Sequence, residues 1–170
     1  MNRRGFALAI SGVATLMVLG QLMLGSTGAT AAPPDVKTFR VQLSGVHEAP
    51  ENPHRNRDRG VAEVSLDPNN DELCWQVLEL TMTEGEALPH AGHIHFAPRK
   101  VAGPIVVHFF GTGDGVPAPT SYPTDRVCRT VDPALLDQIV ASPGDYYVNL
   151  HNSTHPSGVV RGQLRGPASQ

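Results

Sequence analysis

From residue 39 onward, apolar and polar side chains alternate in short runs, and the alternation predicts strands. Phe39, Val41 and Leu43 alternate with Arg40, Gln42 and Ser44, the period-two pattern of a half-buried strand. Residues 61–66 form a second run, closed by the turn cluster Asp67-Pro68-Asn69-Asn70. Residues 73–83 are apolar on both faces, which predicts a central or bulged strand. Residues 91–96 read as a short strand ahead of Pro98, with Ile94 and Phe96 on one face and His93 and His95 on the other. Residues 103–110 are β-branched and mostly apolar, and 126–131 make a short strand. Two strands close the chain. In 146–152, Tyr146, Val148 and Leu150 oppose Tyr147, Asn149 and His151; in 159–164, Val160 and Leu164 oppose Arg161 and Gln163. One helix is predicted, with Asp132 as N-cap, Pro133 in the first position and Leu135, Leu136, Ile139 and Val140 as the buried stripe. Pro143-Gly144 ends it. Residues 47–60 and 111–124 are rich in Pro, Gly or charge and read as loops. About eight strands and one short helix indicate an all-β fold, an antiparallel β-sandwich or Greek-key barrel.

The N-terminus has a different pattern. Arg3-Arg4 precedes an apolar run over residues 6–24, and small residues follow up to Ala29-Thr30-Ala31. This is the layout of a secretory signal peptide, residues 1–31, cut after Ala31. Arg3-Arg4-Gly5-Phe6 also resembles a twin-arginine signal, so the general secretory and twin-arginine routes both stand. An uncleaved anchor is the rival, because the apolar run is nearly long enough to span. Cleavage leaves about 140 residues, one domain by size, and no membrane span. We divide it into a lead-in at 32–38, a β-sandwich domain at 39–165 and a tail at 166–170. The expected location is secreted, periplasmic or cell-surface. In such a compartment Cys74 and Cys128, the chain's two cysteines, are expected to pair as a disulfide. The net charge of −3 and the lack of a basic tract argue against a nucleic-acid partner.

Histidine carries the candidate chemistry. His93 and His95 lie about 7 Å apart along one strand face, close enough for two imidazoles to converge on a metal ion. If the strand over 146–152 joins the same sheet, His151 becomes a third ligand. His155 and His90 are near enough in sequence to be further candidates. Thus His90, His93, His95, His151 and His155, from a total of eight histidines, fall in two short segments. Asn149, Arg161 and Gln163 are the expected polar surround. On this reading the cluster sits on the sheet's outer surface, whereas His108, between apolar neighbours, reads as a core or edge histidine. An all-nitrogen donor set suits Cu(II) or Zn(II). The competing reading is a polar face whose histidines hydrogen-bond to Asn149, Gln163 and the backbone. The zinc-protease pattern His-Glu-x-x-His is absent around His47-Glu48, where Pro50 and Pro53 forbid a helix. No Gly-x-Ser-x-Gly elbow or carboxylate pair points to a hydrolase.

Several motifs in order resemble the chordin-type CHRD domain, in its bacterial single-domain exported form. They are Leu43-Ser44-Gly45-x-x-Glu48-x-Pro50, His93-Ile94-His95, Gly103-Pro104-Ile105-Val106-Val107, Tyr147-Val148-Asn149-Leu150-His151 and Gly158-Val159-Val160-Arg161-Gly162-Gln163-Leu164. The resemblance runs from about residue 39 to 164. It implies a fold like copper,zinc superoxide dismutase, with an immunoglobulin-like sandwich left open by the strand pattern as the alternative. It further implies His93 and His95 as copper ligands with His151 as a third. The zinc half has no counterparts, and neither His47 nor His108 carries over as a site residue. Arg161 lies where the dismutase has a guiding arginine, but its neighbours differ and the role does not transfer. Three functions follow as expectations. One is an exported module binding one copper or zinc ion. Another is a metal-free extracellular interaction module with an unknown partner. The third is a copper-only dismutase, so the non-enzymatic reading leads.

Overall fold

The computed structural model describes residues 36–49, 57–111, 113 and 116–165. The segment read as a signal peptide, most of the lead-in and the tail lie outside the described residues. Eight strands form one curled antiparallel sheet: β1 (Lys37–Ser44), β2 (Arg59–Asp67), β3 (Glu72–Thr81), β4 (Ala91–Phe96), β5 (Ile105–Phe110), β6 (Val127–Thr130), β7 (Tyr146–His151) and β8 (Val160–Gln163). Their order is β5-β4-β7-β8-β1-β2-β3-β6. The predicted all-β architecture is therefore the one observed.

The sheet turns a corner between β8 and β1, which share a single pairing at Ser44 and Arg161. The strands on either side of that corner contribute to one core. Phe39, Val41, Leu43, Val64 and Trp75 come from one half; Ile94, Val107, Phe109, Val148, Leu150 and Val160 come from the other. Trp75 of β3 stacks on Phe109 of β5, ring centroids 4.9 Å apart. At the open edges, Arg129 of β6 donates to the carbonyl of His108 on β5 at 2.6 Å. The two edge strands are thus tied to each other, which limits the unpaired edge available for aggregation.

Local chemistry explains the elements. The bulge predicted for the third strand is present: Leu78 is the extra residue, since Val61 pairs with Glu79 and Ala62 with Val77. The helix α1 (Pro133–Ala141) starts as predicted, with Asp132 accepting from the Ala134 backbone N–H at 2.8 Å and Pro133 at the first position. Leu136 and Ile139 reach the core, while Leu135 and Val140 are only partly buried against it. A one-turn 3-10 segment, Pro143–Asp145, then leads into β7. Cys74 and Cys128 sit directly opposite each other on β3 and β6 and form a disulfide. No helix among the described residues is long and apolar enough to cross a membrane.

Candidate metal centre

The antiparallel pairing of β4 and β7 sets Ala91 against His151, His93 against Asn149 and His95 against Tyr147. β7 pairs in turn with β8, placing Asn149 beside Arg161 and Tyr147 beside Gln163. Side chains of one parity therefore share the face opposite the hydrophobic core. On that face His93, His95 and His151 bring one ligand nitrogen each to within 4.8 Å of one another.

The face is not an outer, solvated surface. His93 is 4 % exposed, His95 7 % and His151 9 %, and Asn149 and Arg161 are buried as well. The expectation of an exposed polar face is corrected here, and the cause is cover from the loops. Gly103, in the β4–β5 connection, accepts a hydrogen bond from His95 Nδ1 at 2.9 Å. Pro156, in the β7–β8 connection, accepts one from His151 Nδ1 at 3.0 Å. Glu48, buried after β1, lies 3.5 Å from the Asn149 amide. Gly158 has φ +127°, and a Cβ there would collide with Glu48 and Asn149, so glycine is what lets this loop close over the site.

Those two carbonyls determine the chemistry of the rings. A carbonyl oxygen only accepts, so His95 and His151 must carry their proton on Nδ1. Each neutral ring then presents a lone pair on Nε2. Both Nε2 atoms are buried without a hydrogen-bond partner, as are both nitrogens of His93. An Nδ1 tied to a backbone carbonyl is the usual outer support of a metal-ligating histidine. Metal–nitrogen bonds near 2.0–2.1 Å would set the donors roughly 3.3 Å apart, so the rings would have to tilt inward to hold an ion. Burial is the main force holding all three rings neutral. It lowers His93 to about 3, reinforced by repulsion from His151, His108 and His95. It lowers His151 to about 4, partly offset by the Pro156 bond. His95 is also lowered by burial, against the Gly103 bond, with Arg161 adding to the decrease.

A family model described as CHRD domain matches residues 39–164. The chain belongs to the CHRD domain family. No curated protein and no solved structure matches the chain. The match takes in the three clustered histidines and both cysteines. Around that cluster the CHRD domain holds two further rows. Tyr147 stacks on His95, centroids 4.8 Å apart, and the Arg161 guanidinium lies 3.4 Å over its other face, a cation–π contact. Arg161 donates to the Pro98 carbonyl, and Gln163 donates to the carbonyls of Ala97 and Gly144.

The outlying candidates are placed differently. His155 gives Nε2 to Glu86 at 3.0 Å and is not in the group. His90 is exposed, and its backbone N–H bonds to the His151 carbonyl. Two residues of this site did not emerge from sequence reasoning. His108, read as a core or edge histidine, pairs directly with His93, with ring centroids 4.9 Å apart and a buried Nδ1 lacking a hydrogen-bond partner. Glu48 is a buried carboxyl in the motif following β1. Pairing β4 with β5 as a hairpin would have pointed to His108; Glu48 stood as a fixed position of the motif Leu43-Ser44-Gly45-x-x-Glu48-x-Pro50, but nothing local showed that it would be buried beside Asn149.

Proposed function

We propose that this CHRD protein is exported and binds one copper or zinc ion through His93, His95 and His151. The carrying observation is the convergence of three buried imidazole nitrogens lacking hydrogen-bond partners. Leaving such groups buried costs about 1–3 kcal/mol each, and a metal ion would satisfy all of them at once. His108 is the next imidazole along the face and the candidate to complete a four-coordinate shell. The cross-strand disulfide fits an oxidising compartment and supports export.

The test is titration of the metal-free protein with Cu(II) and Zn(II) at pH 7 or above, because protonated imidazole cannot ligate. One equivalent should bind. For a dissociation constant of about 1 nM and about 1 μM free metal, the native state gains roughly 4 kcal/mol. At roughly 3–5 °C per kcal/mol for a domain of this size, the melting midpoint rises by on the order of 10 °C. His93→Gln and His151→Gln should each remove most of the rise. Equal, small responses in wild type and variants would leave the metal-free interaction module as the reading to keep.

A further inference from the structure

Beside the histidine cluster, but opening on the β1–β8 corner, lies a cavity of about 350 Å³. Its wall is basic: Arg40, His47, Arg99, Arg161 and Arg165 line it, together with Gln42 and Gln163. Among the described residues, no carboxylate and no apolar side chain lines it. In a chain with net charge −3, this concentration of arginine is a local inversion of the molecule's field. The positive charge is felt within the wall: after burial, Arg99, Arg165 and Lys100 hold His47 below its ordinary range.

The arginines are unequal in a useful way. Arg161 is 2 % exposed and forms the floor, held rigid by Tyr147 beneath it and by one hydrogen bond to Pro98. That bond occupies only part of its guanidinium fork. Arg99 and Arg165 are exposed at the rim and bring their charge without prior ordering. Arg40 meets Glu79 at 3.5 Å, with both side chains largely exposed, a surface pair weak enough to exchange for a better partner. Gln163 commits its amide N–H groups to two carbonyls, which leaves its Oε1 as an acceptor.

We propose that this cavity binds a phosphate or sulfate ester carried on a small hydroxylated molecule of about monosaccharide size. Planar guanidinium forks match tetrahedral oxyanions through paired, charge-assisted hydrogen bonds. A fixed fork at the floor and two exposed ones at the rim can meet such a group from different sides. The volume is at the low end for small-molecule sites and several times that of a bare oxyanion, so the remainder takes a polar carrier. The glutamine acceptor suits a hydroxyl on that carrier. Among the described residues no aromatic or aliphatic side chain lines the cavity, which disfavours a nucleotide base or a lipid chain. None of this depends on the metal reading, since none of the three proposed ligands lines the cavity.

The experiment uses metal-free protein at about 20 mM chloride, where screening is modest, with calorimetric titration of glucose 6-phosphate, glucose 6-sulfate, inorganic phosphate and glucose. Both esters should bind saturably, glucose should not bind, and inorganic phosphate should bind several-fold more weakly than the esters. The rim variant Arg99→Ala/Arg165→Ala should weaken ester binding by about tenfold or more, the loss of two charge-assisted partners, with an unchanged melting midpoint and unchanged Cu(II) stoichiometry. The tighter of the two esters identifies the oxyanion. Absence of saturable binding, an affinity unaltered in the rim variant, or inorganic phosphate binding as tightly as the esters would overturn the proposal.

Discussion

His95 and His151 each commit one ring nitrogen to a backbone carbonyl, and that commitment sets what the other nitrogen can do. In the metal-free protein the same burial makes these residues a source of pH dependence. His93 and His151 ionise near 3 and 4 in the folded chain, against about 6.5 when unfolded. The unfolded chain therefore binds protons first as pH falls. Stability is full above about pH 6.5, declines as pH drops toward the folded values, and levels off below them. Each ring contributes at most about 1.4 kcal/mol per pH unit, so the metal-free domain should lose a few kcal/mol between about pH 6.5 and 4.5. Urea unfolding at several pH values would measure this, and His93→Gln should flatten the slope. A slope identical to wild type would assign the dependence to other groups. Burial also changes what His95→Ala does. An outward-facing histidine would contribute little packing, but at 7 % exposure its removal leaves a cavity. The metal-free stability of that variant should therefore fall, by on the order of 1–3 kcal/mol.

At the scale of strands, legibility followed regularity. β1 and β7 alternate without interruption, so their core faces and the polar row Tyr147, Asn149 and His151 could be read directly from the sequence. β5 could not be read that way. Its pairing with β4 skips Val106 and Phe109, two irregularities in six residues, and Phe109 and Phe110 are both buried. A period-two reading loses parity across such bulges, which is why His108 read as a core or edge histidine. The cover over the histidine face was illegible for a different reason. Gly103, Pro156 and Glu48 come from three separate loops, and the Glu48–Asn149 contact spans 101 residues. No local pattern encodes closure of that kind. The disulfide, by contrast, followed from cysteine count and the expected compartment. It staples the edge strand β6, only four residues long, to β3 across a sequence separation of 54. On the chain-entropy account a loop of that length is worth about 4 kcal/mol. Cys74→Ala/Cys128→Ala should lower the melting midpoint by on the order of 10–20 °C. Calorimetry on the oxidised wild type and the variant measures it, and a fall of only a few degrees would show that β6 is held mainly by its packing.

Taken whole, the molecule keeps its apolar core and its polar site on opposite faces of the same strands. The core draws on both halves of the curled sheet and includes none of the three proposed ligands, so metal removal should lower stability without unfolding the domain. This separates it from small zinc modules whose fold depends on the ion. The same arrangement bears on catalysis. A copper dismutase needs an open coordination position and a path for superoxide to reach the metal. Here the three histidine rings are each less than a tenth exposed, and two of the described loops that cover them bond directly to Nδ1 of His95 and of His151. The arginine nearest the cluster faces a separate cavity and is stacked against Tyr147, so its charge lies behind His95 rather than at an opening above the nitrogens. We expect the copper-loaded protein to bind its ion tightly and to exchange it slowly, with no superoxide dismutation above that of the metal-free protein. Pulse radiolysis of protein carrying one equivalent of Cu(II) tests this. Decay approaching the diffusional ceiling of about 10⁹ M⁻¹s⁻¹, lost on chelation and lost again in His151→Gln, would show that the loops open readily and that the site is catalytic after all.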